Sequence, residues 1–185
     1  MGVKKPIYIA FIDYRKAFDS VSHQKMSQTL LDMGFPAHIV ALIQSLYSSQ
    51  QASVQVAGEL TEKFDVKRGV RQGCILSPAL FNTYSEQIMR NAMADNQTGT
   101  SIGGRKISDL RYADDMAILA ESKEGLQSIL QKISNESKLF DLHMNVKKTK
   151  VMVCSKNPER IDIQLDGENV EQVEDFVYLG ASCSE

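Results

Sequence analysis

The chain has 185 residues, a length that suits one domain with a substantial hydrophobic core. Apolar residues form 43% of it and charged residues 24%, which excludes a disordered chain, and its apolar runs are too short to cross a membrane. The net charge of −2 argues against nucleic-acid binding, because a surface that follows phosphates is normally basic.

In the first half of the chain, residues 7–12 form an apolar run that is typical of a strand buried on both faces, and the run leads directly into Asp13. Stop signals and helical spacing predict helices at residues 22–33 and 36–47, the second with one apolar face made of Ile39, Leu42, Ile43, Leu46 and Tyr47. Alternating residues 52–56 and 64–66 predict a hairpin around Gly58. Ser77 as N-cap with Pro78 after it predicts a helix to residue 94 that carries Leu80, Phe81, Tyr84 and Ile88.

In the second half, a polar loop is predicted at residues 96–104, before two apolar stretches that flank Asp114 and Asp115. A helix follows at residues 124–140, and then strands at residues 151–154 and 176–179, with a hairpin turn at Asp166-Gly167 between them. Consecutive strands are joined mostly by hairpins and do not alternate regularly with helices. The pattern therefore predicts a single α+β domain over residues 1–185, an antiparallel sheet with helices packed on one face.

Three acidic residues stand where carboxylates are costly. Asp114 and Asp115 interrupt an apolar stretch, where a tight turn would bring both to the sheet edge; the ordinary alternative is a surface turn. Asp13 ends a strand that is apolar on both faces, although a loop start or a cap would explain it too. Asp19 precedes the first helix and could cap it, as could Ser20 or Ser22.

Taken together, these acids predict a metal site. One acid at a strand end and two on a later hairpin can meet across adjacent strands, and three such carboxylates suit Mg²⁺. Two ions about 3.5–4 Å apart support displacement at phosphorus. This spacing does not separate a polymerase from a nuclease or a phosphatase.

Two features weaken the objection from net charge. Carboxylates that hold a metal ion count as negative here but are neutralised in use. Basic residues also cluster, although clusters of this size are usually solvated faces: Lys67, Arg68 and Arg71; Arg105, Lys106 and Arg111; Lys147, Lys148 and Lys150.

Five segments in order carry a resemblance to a known family. Tyr112-Ala113-Asp114-Asp115 resembles the YxDD box of reverse transcriptases. Residues 11–21 (FIDYRKAFDSV) are similar to the first palm motif of the LINE-type enzymes of non-LTR retrotransposons, and residues 69–82 (GVRQGCILSPALFN) to the second. Residues 145–150 (NVKKTK) resemble the fourth, and Tyr178-Leu179-Gly180 resembles the fifth. The resemblance spans nearly the whole chain and implies a polymerase palm.

The resemblance implies a catalytic role for the three acids. Asp13 and Asp114 would bind two Mg²⁺ ions, or Mn²⁺ in their place, with Asp115 assisting and the Tyr14 carbonyl as a further ligand. Lys148 would give a proton to pyrophosphate. Lys150 is its rival, and a solvated basic turn is the ordinary alternative for both lysines.

The resemblance also implies substrate-binding residues. Phe18 would exclude a ribose 2′-hydroxyl, Gln72 and Gly73 would contact the nascent base pair and template, Arg71 would contact phosphate, and Tyr112 belongs to the same site. Tyr178-Leu179-Gly180 would form the primer grip. Without the resemblance, Phe18 would be a core aromatic, Gln72 and Gly73 an ordinary turn, and Arg71 a solvated arginine. Residues 178–180 would be a plain sheet edge. His23 is expected to be structural or on the surface.

The activity implied is RNA-directed DNA polymerisation, with RNA template, DNA primer and dNTP as partners. The main alternative is a catalytically incomplete retroelement fragment without polymerase activity by itself, because basic fingers motifs before Asp13 and a thumb after the primer grip are not found in this sequence. An RNA-copying RNA polymerase is disfavoured by Phe18 and Ala113. A two-metal phosphohydrolase is disfavoured by the second motif.

The first residues and the cysteines of the chain bear on its cellular location. The first residues do not form a signal peptide, and the distant Cys74, Cys154 and Cys183 match neither a zinc site nor an even set of disulfides, so we expect thiols in an intracellular protein. The family resemblance implies a nuclear location.

Overall fold

Residues 5–94, 99–102 and 104–184 are described in the computed structural model of the chain. In chain order they form the following elements: β1 (Ile7–Ile12), α1 (Ala17–Ser20), α2 (His23–Asp32), α3 (Ala37–Tyr47), β2 (Gln51–Ala52), β3 (Gln55–Val56), β4 (Glu59–Leu60), β5 (Phe64–Asp65), α4 (Ser77–Met93), β6 (Thr100–Ile102), β7 (Arg105–Ile107), β8 (Asp109–Tyr112), β9 (Asp115–Ala120), α5 (Lys123–Leu139), β10 (Lys150–Cys154), β11 (Gln164–Leu165), β12 (Glu168–Asn169), β13 (Glu171–Gln172), β14 (Asp175–Tyr178) and β15 (Ala181–Ser184).

These elements divide between two compact units, which are described separately. The first unit contains the described part of residues 1–15 and 88–185, and the second contains residues 16–87. The single domain expected from the sequence stays a prediction.

A five-stranded sheet in the order β13-β10-β1-β9-β8 forms the centre of the first unit. β1 pairs antiparallel with both β9 and β10, and only the short β10–β13 pair is parallel. The two-sided burial predicted for residues 7–12 is confirmed, because Ala10, Phe11 and Ile12 are each at most 4% exposed. The sheet and its helices confirm the expected α+β class.

Two elements cover this sheet. α5 packs against β1 and β9 and buries Leu126, Ile129, Leu130 and Ile133, which are four of the five residues in the apolar face that helical spacing predicts. The fifth, Phe140, is the C-cap and is half-buried. The β14–β15 hairpin packs on Phe11, whose ring stacks on that of Phe176 with 4.1 Å between centroids. The apolar residues of β1 therefore pack against other elements on both faces of the sheet, as the absence of a polar face in this strand predicts.

The second unit contains the packed pair α2 and α3 together with a hairpin interrupted into β2, β3, β4 and β5. Ser22 caps α2, since its hydroxyl accepts a hydrogen bond from the Lys25 N–H at 3.4 Å, while Asp19 lies inside the unpredicted α1. The predicted face of α3 is partly wrong, because Leu42 is 66% exposed and Val40 is buried instead. Ile39 is exposed as well, so periodicity alone did not identify the packed side of this helix.

The remaining comparisons between prediction and structure concern turns and the ends of elements. α4 begins at Ser77 itself, one residue from the prediction, and the Ser77 hydroxyl donates to the Arg71 carbonyl at 2.6 Å. The predicted polar loop contains β6, the first strand of the β6–β7 hairpin, while residues 96–98 and 103 of that loop lie outside the described residues. The turn at Asp166-Gly167 is confirmed, with positive φ at both residues.

The described residues include no helix that is both long and apolar enough to span a membrane. None of Cys74, Cys154 and Cys183 forms a disulfide, as expected.

Gly69 lies close to the backbone of Asp19 and supports a stability prediction. Its φ is +90°, and a Cβ at this position would lie 3.1 Å from both the Cα and the carbonyl oxygen of Asp19. Gly58 is a matched control, because its φ is +91° but its Cβ would meet nothing within 4 Å. We expect Gly69→Ala to lower the free energy of unfolding in urea by about 2–4 kcal/mol, and Gly58→Ala by only about 1 kcal/mol. Equal losses would show that the approach to Asp19 is unimportant.

Candidate active site

Asp13 and Asp115 face each other across neighbouring strands. β1 pairs with β9 in the register Ile12↔Met116, so the next position along the ladder places Asp13 opposite Asp115. Residues directly opposite on an antiparallel pair point to the same face of the sheet. The sequence expectation that these acids approach each other across adjacent strands therefore matches the strand register.

A two-residue turn carries Asp114. Tyr112 pairs with Asp115 at the end of the β8–β9 hairpin, which leaves Ala113 and Asp114 as the turn. Ala113 has φ +53°, a left-handed conformation that costs a residue with a Cβ about 1–2 kcal/mol. The predicted tight turn is thus present, and strain of this kind is often found at functional sites.

The three carboxylates are close enough to influence one another. The pKa of Asp115 is raised above the ordinary value by burial first, and then by the negative charges of Asp114 and Asp13. One carboxylate oxygen of Asp13, Oδ1, is buried and has no hydrogen-bond partner, whereas Oδ2 lies 3.9 Å from the Lys148 Nζ. Like charges beside an unpartnered oxygen form a site that a cation would stabilise.

The three carboxylates suit a hard cation, although their side chains are not grouped around a common point. In the part of the chain that the structure describes, no three His, Cys, Asp or Glu side chains are grouped closely enough to hold a metal ion. The carboxylates of Asp13, Asp114 and Asp115 are nevertheless all-oxygen ligands of the kind that Mg²⁺ prefers. Binding would therefore require the three side chains to move towards a shared ion.

The ring of Tyr14 is buried against α5, so its backbone is the part that could serve the carboxylate site. Its hydroxyl shares a hydrogen bond of 2.8 Å with Ser137 of α5, and burial raises the pKa of the phenol to about 12. The ladder bonds beside it join the Arg15 N–H to His143 and the Asp13 carbonyl to Asn145, so this ladder does not use the Tyr14 carbonyl. Of the Tyr14 groups, only the carbonyl fits the role implied by the family resemblance.

The loop at residues 145–149 holds Asp13 from the side. The Asn145 N–H donates to the Asp13 carbonyl at 2.7 Å, and the Asp13 N–H donates to the Thr149 hydroxyl at 3.3 Å. Sequence reasoning did not assign a role to Asn145 or to the buried Thr149, since nothing in their local pattern indicates a contact with a residue more than 130 positions away.

The structure separates the two rival lysines. The Lys150 ammonium donates to the Lys147 carbonyl at 2.7 Å and forms a 2.6 Å ion pair with Glu171, and its side chain is only 19% exposed. The Lys148 side chain is 70% exposed and lies next to Asp13. An exposed pair at this distance adds little stability. Lys148 thus places an exposed ammonium beside the Asp13 carboxylate.

Tyr178 links the β14–β15 hairpin to the β8–β9 hairpin. Its hydroxyl lies 3.0 Å from the Leu110 carbonyl and 3.3 Å from the Asp115 carbonyl, to which it donates. Burial, followed by the charges of Asp115 and Asp109, raises the pKa of Tyr178. Leu179 and Gly180 form the turn of this hairpin, with φ of +50° and +80°. Tyr112 remains 69% exposed.

The other candidate residues belong to the second unit. Phe18 is half-buried and stacks on Phe81 with 4.7 Å between ring centroids, which is the packing of a core aromatic; its contact with the sugar stays a prediction. Gln72 is exposed, and Gly73 has φ +77° in an exposed turn. Arg71 donates to the Leu46 carbonyl at 2.8 Å.

Comparison with known proteins identifies the class. Residues 2–183 match the family model described as reverse transcriptase (RNA-dependent DNA polymerase), and the chain belongs to this family. It is 35% identical over 162 residues to a Pol polyprotein of the type-1 retrotransposable element R2 of Nasonia vitripennis, an alignment that covers 86% of this chain and 16% of the relative. The expected kinship with enzymes of non-LTR retrotransposons is confirmed.

Two further comparisons agree. The Pol polyprotein of element R2DM of Drosophila melanogaster is 30% identical over 183 residues, covering 94% of this chain and 17% of the relative. The chain thus spans about a sixth of the length of these relatives. An apo telomerase of Candida tropicalis, truncated from its C-terminal domain, has a TM-score of 0.66 at 16% identity, covering 98% of this chain and 34% of that one. This likeness supports the palm fold.

The raised pKa of Asp115 leads to a test by stability. Ionisation of this carboxyl is disfavoured in the folded chain. The stabilisation that its protonated form gives to the folded chain is therefore fully present below the unfolded pKa and is lost as pH rises through the folded pKa. In metal-free buffer, we expect Asp115→Asn to raise the unfolding temperature near neutral pH and to have no effect well below the ordinary carboxyl pKa. Asp162→Asn, at an exposed position, is the control. A gain that is independent of pH would contradict the assignment.

Proposed function

We propose that the chain is the catalytic palm of an RNA-directed DNA polymerase. A primer 3′-hydroxyl would attack the α-phosphorus of a dNTP opposite an RNA template, forming the new phosphodiester bond as pyrophosphate leaves. The observation that carries this proposal is the register of β1 and β9, which sets Asp13 opposite the first residue after the Ala113-Asp114 turn. Family membership supplies the reaction class.

The carboxylates of Asp13 and Asp114 would hold two divalent ions, with Asp115 assisting and the Tyr14 carbonyl completing the set. Reverse transcriptases use divalent metal ions, and we propose Mg²⁺ here, with Mn²⁺ as a substitute. When bound, these ions would lower the pKa of the attacking hydroxyl and offset charge on the leaving group. The unpartnered Oδ1 of Asp13 and the raised pKa of Asp115 support this assignment, because the first is a buried oxygen without a hydrogen-bond donor and the second reflects burial beside the charges of Asp114 and Asp13.

Lys148 is proposed to deliver a proton to the leaving pyrophosphate. Its ammonium is exposed and adjacent to Asp13, whereas that of Lys150 is held by Glu171. A proton donor must reach the group that accepts its proton, and a flexible exposed lysine can do so.

The remaining roles concern the partners, namely RNA template, DNA primer and dNTP. We propose Phe18 as the residue that excludes the ribose 2′-hydroxyl, Gln72 and Gly73 as contacts to the nascent base pair and template, Arg71 as a contact to phosphate, and Tyr112 as a neighbour of the substrate. The turn at Leu179-Gly180, which Tyr178 fixes to the β8–β9 hairpin, would hold the primer end. A telomerase of Candida tropicalis solved with a fragment of telomeric RNA is consistent with a nucleic-acid partner.

A second candidate is a family fragment without catalysis of its own. It is favoured by the ungrouped state of the carboxylates among the described residues. The two candidates differ in their response to metal.

If the polymerase proposal holds, Mg²⁺ or Mn²⁺ raises the unfolding temperature of the chain, because the ion relieves repulsion between the three carboxylates. Asp114→Ala should abolish the shift, and Asp162→Ala, at an exposed position, should retain it. A melting curve that is indifferent to metal would favour the non-catalytic fragment.

The sugar selection assigned to Phe18 can be tested in a fusion of this chain to the upstream and downstream segments of a family polymerase. We expect the fusion to extend a DNA primer on RNA, and Phe18→Ala to raise the ratio of ribonucleotide to deoxyribonucleotide incorporation about tenfold, since a steric filter is removed. Phe35→Ala is the control, an aromatic residue lost at an exposed position. If the unmutated fusion incorporates both sugars equally well, the role assigned to Phe18 is wrong.

A further inference from the structure

A short stretch of paired backbone joins two of the sequence motifs within the second unit. Ser22 and Arg68 form an antiparallel bridge, the Gly69 N–H donates to the Val21 carbonyl at 2.8 Å, and the Val70 N–H donates to the Phe18 carbonyl at 2.9 Å. We refer to residues 18–23 and 68–71 as the clasp. It brings the chain that follows the first motif against the start of the second.

His23 adds a side chain to the clasp. Its ring Nε2 lies 2.7 Å from the Gly69 carbonyl, so this nitrogen carries the proton and donates. The ring also packs on Tyr47 at 4.8 Å between centroids, and Tyr47 is only 3% exposed. The imidazole is therefore fixed on one side by a buried aromatic ring and on the other by a backbone acceptor.

Arg71 holds the opposite end of the same segment. Its guanidinium donates to the Leu46 carbonyl at 2.8 Å and lies 5.9 Å from the centre of the Tyr47 ring. Carbonyls in the last turn of a helix have no partner within the helix, and a cation there also opposes the negative end of the helix dipole. The segment 69–71 is thus tied to the start of α2 and to the end of α3, and Gln72 and Gly73 follow it directly.

The start of α2 does not need the imidazole. The hydroxyl of Ser22 already caps this helix by accepting from the Lys25 N–H. The hydrogen bond from His23 instead serves the segment before Gln72, which sequence reasoning did not foresee when it treated this histidine as structural or as a surface residue.

We propose that His23 is a positioning residue that fixes the Gln72-Gly73 turn for its contact with the nascent base pair. The proposal rests on the polymerase function above, and His23 acts through Gly69 rather than by touching the substrate. Losing the ring would let the turn move while the carboxylates of the first unit keep their own supports.

Backbone exchange tests the clasp without any need for activity. In the fusion described above, we expect His23→Ala to increase hydrogen exchange about tenfold in peptides that cover residues 69–76, since one hydrogen bond and one ring contact are lost. Exchange in α5 should not change. His23→Gln, which keeps an N–H donor, should restore most of the protection, and His38→Ala, an exposed histidine, should resemble the unmutated protein. Unchanged exchange at residues 69–76, or an equal rise in α5, would overturn the proposal.

Kinetics then test the functional consequence. We expect His23→Ala to raise KM for the dNTP and the frequency of mismatched incorporation about five- to tenfold, with a smaller change in kcat, and His23→Gln to recover most of the loss. A variant that is only destabilised would lose active molecules, lowering kcat and leaving KM and mismatch frequency unchanged, and this result would overturn the proposal. If the unmutated fusion does not extend a primer, the polymerase proposal fails, while the exchange experiment still decides whether His23 orders the turn.

Discussion

The antiparallel pairing of β1 with β9 is the constraint on which the candidate site depends. A slip of one residue would place Asp114 or Met116 opposite Asp13 and would move every side chain of β9 to the other face. Burial opposes such a slip, because the paired residues Ala10 and Ile118 are both fully buried and β1 has apolar residues on both faces. The chemistry of the core thus determines which acids meet at the end of the strand.

The same arrangement is locally unfavourable. Burial first, and then the charges of Asp114 and Asp13, raise the pKa of Asp115. Asp13 has one buried oxygen without a hydrogen-bond partner, and Ala113 adopts a left-handed conformation that alanine disfavours. The surroundings hold these features in place. The loop at residues 145–149 binds the backbone of Asp13, and the Tyr178 hydroxyl binds the backbone of the β8–β9 hairpin. A cation would stabilise neighbouring carboxylates of this kind, which is why we propose a metal site here.

The features predictable from the sequence are those with a local signal. Two-sided apolar character predicted β1, alternation and turn residues predicted the hairpins, and the ordered motifs predicted the family. Features that depend on packing were missed or misassigned. Leu42 proved exposed although it has the correct spacing for a buried face. Lys150 is distinguished from Lys148 by contacts formed in the folded chain, above all its ion pair with Glu171 and the position of Lys148 beside Asp13. His23 likewise acquires its partners Gly69 and Tyr47 only in the folded chain.

The most direct test of this account is a carboxyl-carbon NMR titration of Asp115 in metal-free solution, in the unmutated chain and in Asp13→Asn. If the strand register brings the two carboxylates together, the pKa of Asp115 is raised in the unmutated chain and falls towards its ordinary value once the charge of Asp13 is removed, by less than the full shift because burial and Asp114 remain. An identical Asp115 titration in both proteins would show that Asp13 does not lie beside the β8–β9 hairpin, and would contradict the account.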